Sequence, residues 1–344
     1  AKPRLQNQDF SALPKRHDLL VAFTLRLDRR ERALQARIRD DDAGKWLSVD
    51  LPTPWAINPN VRCMALHRDR ATGAQFLFVG ASPAPLGIVK GAYDPGAPGK
   101  IRWFPEVELE SLSGRQSGSR GKWFGMASVD GKLFASSARQ IFRRIDGPES
   151  RWIQVASFSP QNNIDSAPPR GLTAVPLIKG LDSWKEPEML LFSAAGRMWR
   201  MRTPDNPKDE HTLQMELDII SEASTHMDDV VVFAEGAFNR IRFCPEEGGF
   251  WPIGFQVVFG SEGVKPRAND PESYRLKPQA WYLLRDTHGA YSLEKIEDAD
   301  CTLFLARDFE ISPFGDHALY ACGFNGSYFK GSLGTAWIFS GRLR

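Results

Sequence analysis

Long apolar runs are missing from this sequence, and no stretch approaches the ~20 residues a helical membrane span requires. Cysteine is scarce. The four present, Cys63, Cys244, Cys301 and Cys322, show no CxxC spacing, which excludes zinc ribbons and dense disulfide frameworks. Cys63, Cys301 and Cys322 sit in or beside strand-like segments and read as buried thiols. The six histidines form no HxxxH pair and no zinc constellation. Charge of one sign is missing too. The 44 basic and 42 acidic residues leave +2, and the basic ones are scattered, which argues against binding nucleic acid through bulk charge. There is no phosphate loop, no GxSxG and no GxGxxG between a strand and a helix. Helical periodicity is nearly absent; Leu27 to Ile38 has a helix-compatible pattern but reads slightly better as a hairpin. The chain opens at Ala1 without an apolar leader, and a removed signal peptide would make it secreted or periplasmic.

What is present is a recurring unit. Residues 131–155, GKLFASSARQIFRRIDGPESRWIQV, read as strand, short break, strand, polar turn and a strand opened by Trp. The layout recurs from Leu77 and Leu190, and more weakly from Trp281 and Ala318. Turn-forming Gly, Pro, Asn and Asp separate β-branched and aromatic runs. Short strands recurring roughly every 50 to 80 residues mark sheets that bury their faces on one another. Such an array lets a chain of 344 residues fold without one oversized core.

This layout, with the closing segments ALYACGF and TAWIFSGRL, resembles β-propeller proteins as a class over residues 46–343. The resemblance implies an all-β propeller. Asp-box, kelch double-Gly and WD repeats are missing, so no site residue carries over from a subfamily. Outer strands are expected near Trp46, Trp103, Trp152, Leu213 and Ser292, and inner strands near Val61, Trp123, Gly171, Phe238 and Phe309. Five of each predict five blades in one domain over 1–344, with 1–18 as an N-terminal arm. Two further strands from 19–39 would make six. The strand at 46–51 precedes the first inner strand, so it is expected to complete the last blade beside Ala336–Leu343 and close the ring. Trp46, Trp103 and Trp152 are expected at equivalent seams, where they bury area.

Propellers as a class take ligands where the loops entering the inner strands converge, so the resemblance points to those loops. They carry Arg62 at the first inner strand and Arg120 and Trp123 at the second. Asn163 and Arg170 stand at the third, and Asn239 and Arg240 at the fourth. Trp123 could stack on a ring, the guanidiniums could hold anionic or hydroxyl groups, and the amides could orient them. The expected ligand is a polar small molecule or glycan, neutral to anionic, because Arg outnumbers carboxylates in this set. The segment SEASTHMDDVVVFAEGAFNR sets His226 beside Asp228 and Asp229. A histidine base with orienting carboxylates would make the protein a hydrolase or lyase, and a divalent cation such as calcium could sit on the acids. The plainer reading of that run is a solvated acidic loop. A flat, filled channel would suit a non-catalytic interaction platform. His67, at the end of a strand, is a weaker candidate, and His211, in a polar turn between outer strands, reads as remote from the mouth.

Overall fold

The computed structural model describes residues 19–27, 32–40, 45–49, 60–82, 87–93, 100–107, 123–137, 140–158, 169–176, 188–194, 197–218, 240–244, 249–256, 277–285, 291–295, 305–311, 318–324 and 336–342. The described elements are strands in six antiparallel sheets, each a meander in chain order. The first sheet is β1 (Leu19–Leu27), β2 (Arg32–Asp40) and β3 (Lys45–Val49). The second is β4 (Asn60–Arg68), β5 (Gln75–Ser82), β6 (Ile88–Tyr93) and β7 (Ile101–Val107). The third is β8 (Trp123–Val129), β9 (Lys132–Ser137), β10 (Gln140–Ile145) and β11 (Arg151–Ser157). The fourth is β12 (Arg170–Pro176), β13 (Glu188–Ala194), β14 (Arg197–Met201) and β15 (Leu213–Asp218). The fifth is β16 (Arg240–Cys244), β17 (Gly249–Gln256), β18 (Lys277–Arg285) and β19 (Tyr291–Lys295). The sixth is β20 (Leu305–Ile311), β21 (Ala318–Phe324) and β22 (Ala336–Arg342).

The first strands of successive sheets pack in chain order, β4 on β8, β8 on β12, β12 on β16 and β16 on β20. Cys63 and Met126, the fourth residues of β4 and β8, share one apolar cluster. Near the other ends of the same strands, His67 Nδ1 lies 2.9 Å from Ser128 Oγ, so β4 and β8 run in the same direction. Gly125 and Leu172, each third in its strand, align β8 with β12. A Cβ on Gly125 would stand 2.7 Å from Leu172 Cδ1, so the Leu172 side chain packs over the glycine and would have to shift for a larger residue. Antiparallel meanders packed through their first strands are the blades of a β-propeller.

Burial explains the sequence pattern. β9 is covered on both faces, and KLFASS is buried throughout rather than alternating. One face joins Phe78, Ile88, Met126, Leu133, Phe142 and Trp152 between the second and third sheets. The other joins Phe134, Ile141, Leu172, Leu190 and Phe192 between the third and fourth. Asp130 and Gly131 connect β8 to β9 with φ of 46° and 65°, the paired positive values of a tight hairpin turn.

The strand starts expected from sequence lie within two residues of those of β3, β4, β7, β8, β11, β12, β15, β16 and β19, whereas Phe309 is the fifth residue of β20, which begins at Leu305. The sheets differ from the expected five. Residues 19–40 supply the β1–β2 hairpin, paired from Leu19↔Asp40 to Leu27↔Arg32, and the described strands form six sheets. β3 pairs with β2, from Asp40↔Lys45 to Ala36↔Val49, rather than with β22, whose described partner is β21. Pairing across the short 41–44 connection costs far less loop-closure entropy than pairing across nearly the whole chain. Trp152 occupies the expected seam. Trp103 is half-buried against Val79 and Val89. Trp46 is the second residue of β3, with its side chain outside the described residues, and the 1–18 arm lies wholly outside them.

Candidate functional site

Two charge networks lie where sheets meet, each built on a buried arginine of β10. Neighbouring residues in a strand face opposite ways. In QIFRRI, Phe142 and Arg144 therefore face the second sheet, while Ile141 and Arg143 face the fourth. Arg144 is 2% exposed. Its Nη1 donates to Asp69 at 2.9 Å and to Asp146, and its Nε donates to Glu106 at 2.6 Å. Lys90 Nζ stands 3.0 Å from the second Glu106 oxygen. Asp69 is also held by its own turn, accepting the Ala71 and Thr72 amides at 3.0 Å and the Thr72 hydroxyl at 3.2 Å. Burial alone would raise the Asp69 pKa. The bonds from Arg144 and Thr72 and the Arg144 charge outweigh it and lower the value from 3.8 to about 2. Burial would likewise raise the pKa values of Glu106 and Asp146, but donors outweigh it and lower both, Arg144 and Lys90 at Glu106, His67 and the Arg70 amide at Asp146. Burial works against the charge on Arg144, yet Glu106 and Asp69 hold its pKa above the ordinary value.

His67 closes this network and is 1% exposed. Its Nε2 lies 3.2 Å from both oxygens of Asp146; a carboxylate only accepts, so Nε2–H donates. Phe78 meets the ring edge-on at 5.8 Å. Serine, histidine and aspartate in contact can also form an activated nucleophile. Here the imidazole is enclosed, with one nitrogen on Ser128 and the other on Asp146. The trio fastens β4 to β8 and to the turn after β10.

The second network ties the third sheet to the 202–212 loop between β14 and β15. Arg143 Nη1 donates to the Pro204 carbonyl at 2.6 Å and Nη2 to the Asp205 carbonyl at 2.8 Å. Lys132 Nζ donates to Asp130 at 2.6 Å and to the Thr203 carbonyl at 2.8 Å, and lies 3.1 Å from Asp205 Oδ1. Arg70 crosses from the turn after β4 to the Asp130 carbonyl, and its Nη1 lies 3.5 Å from Asp205 Oδ1.

The site expected from sequence divides in two. Arg62, Trp123, Arg170 and Arg240 lie within the first three residues of β4, β8, β12 and β16. Ladder irregularities fall at or beside three of them, between Val61 and Cys63, Trp123 and Gly125, and Arg170 and Thr173. Only the backbone of these four is described. Arg120, Asn163, Asn239, His226, Asp228 and Asp229 lie outside the described residues. Among the described residues no group of three His, Cys, Asp or Glu could hold a metal ion. Sequence reasoning missed both charge networks. One usable sign was IFRRI, two arginines inside an apolar strand that has a sheet on either side.

No family model and no curated protein matches the sequence. Among solved structures, the chain is similar to Sqt1 from Chaetomium thermophilum, with 12% identity over 89% of this chain and 76% of that one and a TM-score of 0.44. It is also similar to an α-L-arabinanase from Cellvibrio cellulosa complexed with arabinohexaose, with 12% identity over 81% of this chain and 96% of that one and a TM-score of 0.32.

Proposed function

We propose that the chain is one propeller domain, a ring of six sheets, that binds a polar small molecule or glycan at the mouth where its first strands begin. The observation that carries this reading is the occurrence of Arg62, Trp123, Arg170 and Arg240 at the starts of four first strands that pack in chain order. Bulges near three of those starts support it, because a bulge breaks the ladder and re-aims side chains, often at a rim or beside a site. Three arginines at strand starts of the same rank would favour a neutral-to-anionic ligand that shares their charge. Trp123 offers a flat apolar face to a ring. Arg120, Asn163 and Asn239, on the loops that enter the same strands, would fix its orientation.

The test is calorimetric titration of the full chain with neutral and acidic oligosaccharides. Arg240→Ala is expected to abolish binding while the melting temperature holds. A ligand bound at full affinity by Arg62→Ala, Arg170→Ala and Arg240→Ala alike would overturn the site. Turnover of a bound oligosaccharide, lost in His226→Ala, would move the reading to a hydrolase.

A further inference from the structure

The two arginines of β10 are provided for unequally. Arg144 bonds three carboxylates. Arg143, 5% exposed, donates only to main-chain carbonyls, and its Nε has no hydrogen-bond partner among the described residues. A buried cation held by neutral groups carries an uncompensated desolvation cost. Two more buried polar atoms beside it are also unpartnered, Thr203 Oγ1 and His211 Nε2.

The 202–212 loop carries two of these groups, and Arg143 reaches the same loop. The Arg202 amide donates to the Thr212 carbonyl at 3.0 Å, so Thr203 and His211 face one another just inside it. Arg143 reaches the carbonyl of Pro204, next to Thr203. Phe134, directly opposite Arg143 in the β9–β10 ladder, meets the His211 ring edge-on at 6.5 Å. The charges acting on Arg143 and His211 are Arg70 and Lys132, and the carboxylates Asp130, Asp146, Asp205 and Asp209. Asp205 is exposed to solvent and Asp146 is engaged with His67 and Arg144, so the hydrogen bonds of Arg143 go to main-chain carbonyls and not to a carboxylate.

We propose that the seam beneath the 202–212 loop is a binding site for one small oxyanion, held by Arg143 Nε–H, the Thr203 hydroxyl and His211 Nε2. The site couples anion and proton uptake. His211 is engaged by the Asp209 backbone through its other ring nitrogen, so in the neutral ring Nε2 is a lone pair that cannot donate. Burial first, then the Arg143 charge and more weakly the Lys132 charge, hold the His211 pKa below its ordinary value, against upward effects of the Asp209 backbone and carboxylate. An anion reverses that field, the ring protonates, and Nε2–H becomes the third donor. Affinity therefore rises as pH falls through the His211 titration, and by linkage the anion raises the His211 pKa.

The test uses the full chain and inorganic sulfate, which does not titrate near neutrality, against chloride at equal ionic strength. Calorimetry between pH 5 and 8 is expected to find one saturable sulfate site that tightens as pH falls. An NMR titration should show His211 moving to a higher pKa with sulfate. Thr203→Val keeps size and fold and is expected to weaken binding about tenfold, as is Arg143→Gln, while His211→Gln removes the pH dependence. Absence of saturable sulfate binding, as a resident water would give, overturns the proposal. So does binding that a folded Thr203→Val variant leaves unchanged.

Discussion

Arg144 sits at the seam between the second and third sheets with three carboxylates that depend on it. Removing one member of a buried ionic cluster leaves the others charged and unpaired. Arg144→Met should destabilise the protein by about 3 to 5 kcal/mol at neutral pH, measured by urea unfolding. The pH dependence follows from the carboxylates. Asp69 has a folded pKa near 2 against 3.8 unfolded, so its contribution is fully present above about pH 4 and is lost as pH falls through 2. That drop corresponds to roughly 2 kcal/mol. Glu106 and Asp146 shift in the same direction and add to the acid sensitivity. The acid loss should shrink in Arg144→Met; a variant as stable and as acid-sensitive as the parent would contradict the network. None of this was legible in His67 as a residue. A histidine ending a strand becomes a bridge only when Ser128 and Asp146, far along the chain, are packed against it.

At the scale of elements, β10 and the β8–β9 turn do the joining. β10 works because adjacent residues face opposite ways and both faces are covered, so one Arg-Arg step serves two seams. The β8–β9 turn works because glycine supplies both its positive φ and its clearance. A Cβ on Gly131 would stand 2.6 Å from Arg70 Nε. Gly73, in the β4–β5 turn, has a similar φ of 70° with nothing within 4 Å of a Cβ. Gly73→Ala should cost only the backbone strain, about 1 kcal/mol, whereas Gly131→Ala should cost about 1 to 3 kcal/mol because Arg70 must also move. Thermal melts of the two variants check this, and equal losses would mean that the Arg70 contact contributes nothing. The turn itself was readable as Asp-Gly between strand-like runs; Arg70 lying over it was not, because that contact depends on how two sheets pack.

For the whole molecule, the seams imply an order of assembly. Trp152 of the third sheet packs toward the second. By the same rule Trp103 faces away from the third sheet, with Val61, Met64, Leu77, Val79 and Val89, toward whatever precedes the second. Leu66 on β4 is 58% exposed. The sheet β1–β3 precedes it in the chain. Deleting residues 1–51 should therefore uncover this face, lower the melting temperature and promote self-association, read by calorimetry and analytical ultracentrifugation. A truncated chain that stays monomeric with an unchanged melt would show that β1–β3 does not cover it.

The sequence by itself determined that this is an all-β chain of repeated short strands, and where most of those strands begin. Turn residues and β-branched runs act over a few neighbours, so their message survives without the fold. It also suggested Arg62, Arg120, Trp123, Asn163, Arg170, Asn239 and Arg240 as candidates, because each lies at or just before the start of a first strand. Tertiary structure alone decided how strands were shared among sheets. Hairpin pairing across 41–44 competes with pairing across nearly the whole chain, and a local pattern does not encode that choice. Tertiary structure alone also decided that Arg143 and Arg144 are buried. Whether a charge can leave water depends on the carboxylates and carbonyls that meet it there, and those come from sheets distant in sequence.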